Sequence, residues 1–291
     1  MNQQLPSFQY KISLGQNFLF DEELLNRLVD QTGVGPLDTV LEIGAGRGDL
    51  TAVLAARCRQ VVTIEVDERL EPVLQDRFSQ ADNIRLVMGD VMRLDLMEVM
   101  AGSGPFHVVA NLPYYLTSPI LSLLLHAPLP IQSVNVMVQE EAAARILARP
   151  STPEYGPLTV LAAYRGMPRA TVRVPARMFT PPPKVDSAFL TIPFHKTPPV
   201  HLQDEPLFHQ LVQAAFQMRR KTLVNNLVHA FPVSREQAQD VLVKASLPQQ
   251  VRGERLSLEE FAGLSNELAE LLKIPEKRNN IVISLYKTET M

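Results

Sequence analysis

Short β-branched and apolar runs alternate with stretches of helical spacing through the first two-thirds of the chain. Residues 39–43 (TVLEI), 61–65 (VVTIE), 84–88 (IRLVM) and 106–110 (FHVVA) have the length and composition of buried strands, with helix-like segments between them. This alternation predicts a parallel sheet with helices on both faces, an α/β fold of the Rossmann-like kind. Ahead of it, Asp21 is placed to cap a helix whose Glu22 and Glu23 suit the positive N-terminal end, with Phe20 and Leu25 spaced as a hydrophobic staple.

The pattern changes after Thr180-Pro181-Pro182-Pro183. Residues 185–193 read as a last strand and Thr197-Pro198-Pro199 as a linker. Beyond it, residues 206–217, 221–230, 235–244 and 257–272 have helical apolar spacing and no strand partner. The expected division is therefore a sheet domain over 1–200 and a smaller all-helical domain over 201–291. The tail after Ile274, with Lys277-Arg278-Asn279-Asn280, is expected to fray.

Composition narrows the class. With 46% hydrophobic residues the chain has enough apolar material for a globular core. No apolar run approaches the ~20 residues that span a bilayer, and the start lacks a charged and then apolar leader, so a cytoplasmic location is expected. The single cysteine, Cys58, excludes an intramolecular disulfide and reads as a small core residue. No Cys/His spacing resembles a zinc site, and no metal is expected. Net charge is only −3, but its distribution is uneven. Acidic residues outnumber basic ones 16 to 9 over residues 1–100, whereas over 145–196 the count is 2 to 8. Arg145, Arg149, Arg165, Arg169, Arg173, Arg177, Lys184 and Lys196 are thus either a footprint for a polyanion or scattered solvated charges.

Candidate chemistry collects at the predicted strand ends. The first strand runs into Gly44-Ala45-Gly46-Arg47-Gly48, where glycines let backbone approach a ligand beside a helix N-terminus, although a plain turn explains them equally well. The second ends in Glu65, suited to ribose hydroxyls or simply to solvent. The third ends in Gly89-Asp90-Val91, where Asp90 can accept from an adenine amine or cap a helix. Successive parallel strands deliver their carboxyl ends to one edge, so glycine loop and acids together describe an adenosyl ligand. No lysine of a phosphate loop follows the glycines and the surroundings are acidic. S-adenosylmethionine therefore fits better than ATP or NAD.

The fourth strand leads into Asn111-Leu112-Pro113-Tyr114. If the Asn111 side-chain oxygen and the Leu112 carbonyl each accept an N–H of an exocyclic adenine amine, its lone pair is directed at the methyl donor. Pro113 fixes the turn and Tyr114 offers a stacking face, the alternative being a proline turn with a core tyrosine. Phe179, stiffened by the following prolines, would stack on the other face of the base while Lys184 reaches a phosphate, unless this stretch is only a connector. Such a base must be unstacked.

Taken together, Gln16-Asn17-Phe18-Leu19, residues 42–48, Glu65, Gly89-Asp90-Val91, Asn111-Leu112-Pro113-Tyr114, residues 179–185 and Arg219-Arg220-Lys221-Thr222-Leu223 resemble the small-subunit ribosomal RNA adenine dimethyltransferases of the kasugamycin-sensitivity type. The likeness spans roughly residues 11–275. It implies a class I methyltransferase sheet and dimethylation of two adjacent adenosines in a hairpin loop near the 3′ end of that RNA, on a late assembly particle, by a monomeric enzyme. It implies a cofactor region of Gln16, Asn17, Leu19, Gly44, Gly46, Glu65, Val66, Asp90, Val91 and Asn111. It also implies an adenine site of Asn111, Leu112, Pro113, Tyr114 and Phe179, and RNA contacts at Lys184, Arg219, Arg220 and Lys221. Gln139-Glu140-Glu141 and Pro157 depart from the family's usual residues. The related large-subunit methyltransferases are disfavoured by Leu112 and the long helical C-terminal region. A non-catalytic assembly factor is disfavoured by the intact Glu65, Asp90 and Asn111, and a dehydrogenase by the glycine spacing.

Overall fold

Apolar strand runs and amphipathic helices assemble as the alternation predicts, with four strands beyond the five expected and an antiparallel edge on the parallel sheet. The structure is a computed structural model that describes residue 11 and residues 15–273. The tail expected to fray lies outside the described residues. Two compact units divide the chain. Of the described residues, one comprises those up to 144 together with 166–195, the other 145–165 together with those from 196 on. The linear boundary near 200 is thereby corrected in one segment, residues 145–165. There the ring of Tyr164 packs on Phe208 at 5.1 Å between centroids, and the Tyr155 hydroxyl donates to the Leu256 carbonyl at 2.7 Å. Burying two aromatic rings among helices outweighs chain proximity to the strands.

The first unit holds a seven-stranded sheet. Its strands are β2 (Thr39–Ile43), β3 (Gln60–Glu65), β4 (Ile84–Met88), β5 (Phe106–Asn111), β6 (Ile131–Gln139), β7 (Arg169–Val174) and β9 (Ser187–Pro193). They are ordered β4-β3-β2-β5-β6-β9-β7. All neighbours from β4 to β6 pair in parallel, whereas β9 runs antiparallel to both β6 and β7. A second, two-stranded sheet pairs β1 (Phe18–Leu19) with β8 (Phe179–Thr180). These two short strands, β6 and β7 escape the strand reading: the ninefold run of β6 mixes polar Asn135 and Ser133 with valines, and β1 and β8 are too short to show a period.

β2 is flanked by β3 on one side and β5 on the other. The chain reverses direction across the sheet there, which opens a crevice beyond the strands' carboxyl ends. The strand interiors are closed, with Val40, Leu41, Val61, Val62 and Val108 at 0% exposure. Cys58 is buried as expected. Before the sheet, α1 (Glu22–Asp30) is capped by Asp21, whose carboxylate accepts from the Leu24 N–H at 2.8 Å. The staple is not formed as read. Phe20 packs with Phe18, Leu70 and Leu74, while Leu25 joins a separate cluster with Leu19 and Phe179.

The second unit is helical. Its α8 (Glu205–Gln217), α9 (Leu223–Ala230), α10 (Arg235–Lys244) and α11 (Leu258–Leu272) match the predicted positions within two residues. Ser234 with Gln237, and Ser257 with Glu260, form reciprocal capping boxes that set the starts of α10 and α11.

Candidate active site

One cleft, open to solvent, lies at the carboxyl edge of the first unit's sheet. Its floor comes from the ends of β2, β3, β4 and β5, at Gly44 to Arg47, Ile64 to Val66, Gly89 to Val91 and Ala110 to Pro113, and Gly15 to Leu19 are part of its lining. The strand ends predicted to cooperate therefore do meet, and Gln16, Asn17 and Leu19 meet them.

The glycine loop is shaped by its backbone. Gly44, Gly46 and Gly48 have φ of +85°, +57° and +83°, a region that side-chain-bearing residues enter at a cost. The loop is held from the next strand: the Gly46 N–H donates to Glu65 Oε2 at 2.7 Å, and the Val66 and Asp67 N–H groups donate to Oε1 at 2.9 and 2.8 Å. Burial raises the Glu65 pKa above the usual carboxylate value, against the opposing effect of these three donors. A carboxylate accepts about four hydrogen bonds. Glu65 thus retains room for one more donor, on Oε2, which narrows the expectation that it takes both hydroxyls of a ribose.

Asp90 holds a turn and caps no helix. Its Oδ1 accepts from the Met92 N–H at 2.9 Å, while Oδ2 lies 3.5 Å from Arg93 Nε and the residue lines the cleft. No helix starts at Val91. A turn follows, and α4 (Leu96–Val99) begins later under an Asp95 cap. Val66, 48% exposed, and buried Val91 give the cleft apolar surface beside the two acids. Its ionisable lining is three acids, Asp49, Glu65 and Asp90, against Arg47.

At the far end, Asn111 Nδ2 donates to the Asn17 carbonyl at 2.9 Å. That bond commits the amide nitrogen and leaves Oδ1 as a free acceptor. No described residue donates to Oδ1 or to the Leu112 carbonyl, whose own N–H is spent on the Met137 carbonyl at 3.4 Å. Pro113 lines the cleft and opens the 3-10 turn Tyr114–Leu116, its carbonyl accepting from the Leu116 N–H at 3.0 Å. The Tyr114 hydroxyl lies 2.7 Å from Ser187 Oγ, which pins the ring from β9, and burial raises its phenol pKa so that it stays neutral. Tyr114 is half-buried and lies outside the cleft lining.

Phe179 requires a correction. It is 2% exposed, paired with Leu19 through β8, and enclosed with Leu24, Leu25 and Leu28 in the core. In this arrangement its ring supports the wall beneath Leu19 and offers no face to a base, because strand pairing of the proline-led segment turns it inward. Arg219 is corrected in part. Its guanidinium donates to the Pro153 carbonyl at 2.8 Å and lies 3.8 Å from Glu254, so it braces its own unit. Lys184, Arg220 and Lys221 are exposed. The basic stretch is split between the two units, and Arg173 is engaged by Glu140 at 2.6 Å and Asp186 at 3.1 Å. Asp67 and Ser187 escaped the sequence analysis, and Glu42 entered it only within the 42–48 motif, because Gln16, Tyr114, Thr51 and Thr63 lie 9 to 73 residues from them.

The family model described as ribosomal RNA adenine dimethylase matches residues 7–270 of the chain. This chain belongs to the ribosomal RNA adenine dimethylases. Among its relatives, the ribosomal RNA small subunit methyltransferase A of Geobacillus sp. (strain WCH70) is 43% identical over 91% of this chain and 94% of its own. That of Geobacillus kaustophilus is 44% identical over 91% and 92%. A crystal structure of a dimethyladenosine transferase from Plasmodium falciparum shares the fold with a TM-score of 0.73 and 24% identity over 87% of this chain and 98% of that one. The 23S rRNA methyltransferase ErmE superimposes with a TM-score of 0.64 at 28% identity, over 87% of this chain and 100% of that one. The α/β methyltransferase architecture and the helical C-terminal part are thereby those of the family.

Proposed function

We propose that this enzyme transfers methyl groups from S-adenosylmethionine to the N6 amines of two adjacent adenosines near the 3′ end of small-subunit ribosomal RNA. The observation that carries the reading is the Asn111 amide, held by its nitrogen on the Asn17 carbonyl beside an unoccupied Leu112 carbonyl. Two acceptors side by side at the cleft edge suit an amine with two N–H groups. The relatives at 43–44% identity, named for the small subunit, support the choice of RNA.

The residues fit the methyl donor. The buried Glu65 has acceptor capacity left for a ribose hydroxyl, Asp90 Oδ2 suits an adenine amine, and Val66 and Val91 suit the faces of its ring. Arg47 is the one cationic side chain of the lining among the described residues, which gives a pyrophosphate little to bind. When bound, the donor supplies an electrophilic methyl group on a positively charged sulfur. Asn111 Oδ1 and the Leu112 carbonyl then draw the two N–H bonds of the substrate amine, which localises its lone pair and aims it along one direction. The methylated nitrogen is acidic enough to release its proton to water, so no side-chain base is needed. Pro113 and the Ser187-anchored Tyr114 hold the rim of this site. Lys184, Arg220 and Lys221 are free to meet RNA phosphates.

The test is transfer of labelled methyl groups to isolated ribosomal subunits. Two methyl groups on each of two adenines in unmethylated small subunits is the expected result, and label confined to large-subunit RNA would overturn it. Asn111→Ala should leave cofactor affinity within about twofold and slow transfer roughly 100-fold, the scale seen when one preorganised polar group is removed from a reacting centre. Turnover equal to wild type would remove Asn111 from the mechanism.

A further inference from the structure

Asp67 lies two residues beyond Glu65 and is 2% exposed. Its Oδ2 accepts from Gln16 Nε2 at 2.8 Å and from Arg69 Nη2 at 2.6 Å, and its Oδ1 accepts from Arg69 Nε at 2.8 Å. Lys11 Nζ stands 3.7 Å from the same carboxylate, and the Lys11 N–H donates to Gln16 Oε1 at 2.8 Å. The Asp67 N–H in turn donates to Glu65 Oε1. One carboxylate therefore joins the ribose-side turn to the segment carrying Gln16 and Asn17. That segment ends its task at the Asn17 carbonyl, which receives the Asn111 amide nitrogen 94 residues away in sequence.

On the C-terminal side of Asn17 the segment is anchored by buried Phe18 and Leu19, which pair with β8, and on the N-terminal side by the bond from Gln16 to Asp67. The Asn17 side chain bonds only locally, to the Gly15 carbonyl, and β1 is two residues long. If the Asn17 carbonyl moves away, the Asn111 amide loses the one partner that distinguishes its nitrogen from its oxygen. Rotated by half a turn, it would present N–H groups to a substrate amine that also carries N–H groups, and the interaction would become repulsive.

We infer that Asp67 is a positioning residue for methyl transfer: through Gln16 and the Asn17 carbonyl it holds Asn111 with its side-chain oxygen, and not its nitrogen, available to the substrate amine. This rests on the acceptor role proposed for Asn111. The Arg69 guanidinium beside it holds the Asp67 carboxyl well below the usual carboxylate range, so the acceptor stays charged at neutral pH. Arg69 is part of the device because it lets a buried carboxylate stay charged.

The experiment is a double-mutant cycle read by single-turnover transfer at saturating cofactor and RNA. Gln16→Ala and Asp67→Ala should each slow transfer about tenfold without changing KM for RNA, and each should have less than about a twofold effect in an Asn111→Ala background. Equal slowing in both backgrounds, or a loss confined to cofactor affinity, would overturn the inference. Asp67 also accepts the Arg69 N–H, so if Asp67→Ala fails to fold, Gln16→Ala, which truncates one side chain of the arm, carries the cycle alone. A second readout is the ¹⁵N side-chain amide resonance of Asn111, assigned by its loss in Asn111→Ala. It should shift and broaden in Gln16→Ala, and an unmoved resonance counts against the latch. Wild-type turnover by Asn111→Ala would defeat the acceptor reading itself, and that outcome is separate from the resonance result.

Discussion

Glu42, the last residue but one of β2, is fully buried close to the glycine loop. Its Oε2 accepts from the Thr51 and Thr63 hydroxyls at 2.6 and 2.7 Å, while Oε1 meets no hydrogen-bond partner among the described residues. Burial pushes the carboxyl up to about 8 from an ordinary 4.5, more than the two hydroxyls can offset, and nearby Glu65 and Asp49 add to the rise. Between those two values the folded protein holds a proton that the unfolded chain has lost. Its contribution to stability is therefore complete below pH 4.5 and disappears as pH rises through 8. The whole effect is worth ~5 kcal/mol, of which ~3 kcal/mol falls between pH 5 and pH 8. Glu42→Gln cannot ionise, and it carries a pH-independent cost of about 1–2 kcal/mol for an unpaired buried amide. Urea denaturation of both proteins, followed by circular dichroism and fitted as two transitions where the units unfold separately, gives the difference at each pH. Subtraction removes groups common to both, including Asp67, whose lowered pKa acts with the opposite sign at low pH. The variant should be the less stable protein at pH 5 and gain ~3 kcal/mol relative to wild type by pH 8. Curves that stay parallel within about 0.5 kcal/mol would refute the claim that Glu42 is neutral in the fold.

Gly46→Ala should destabilise the first unit by about 1–3 kcal/mol and weaken cofactor binding measured by calorimetry. A Cβ there would lie 2.9 Å from the Phe18 ring that lines the cleft, on a backbone with φ of +57°; unchanged affinity would show that the loop tolerates the shift. Arg219 and Arg220 should separate by role. Arg220→Glu should weaken particle binding and flatten its salt dependence by about one to two in log–log slope, whereas Arg219→Ala should act mainly by lowering the melting temperature, since its guanidinium is bound to the Pro153 carbonyl and Glu254. Identical salt slopes for Arg220→Glu and wild type would remove that residue from the RNA contact.

Local signals determined a good deal of this protein. The strands ending in Ile43, Glu65, Met88 and Asn111, the Asp21 cap and the positions of α8 to α11 depend on periodicity and capping chemistry that act within a few residues. A parallel arrangement of those strands sufficed to bring Gly44, Glu65, Asp90 and Asn111 to one edge. Tertiary structure decided the rest. It buried Phe179 behind Leu19, committed Arg219 to its own unit, and drew residues 145–165 into the helical part. It also bonded the Asn111 amide nitrogen to a carbonyl 94 residues away, next to Gln16, which Asp67 binds from a third part of the chain. Residue type states which hydrogen bonds a side chain can make. Which of them it does make depends on partners that only long-range packing brings within 3 Å, and no local pattern encodes that distance.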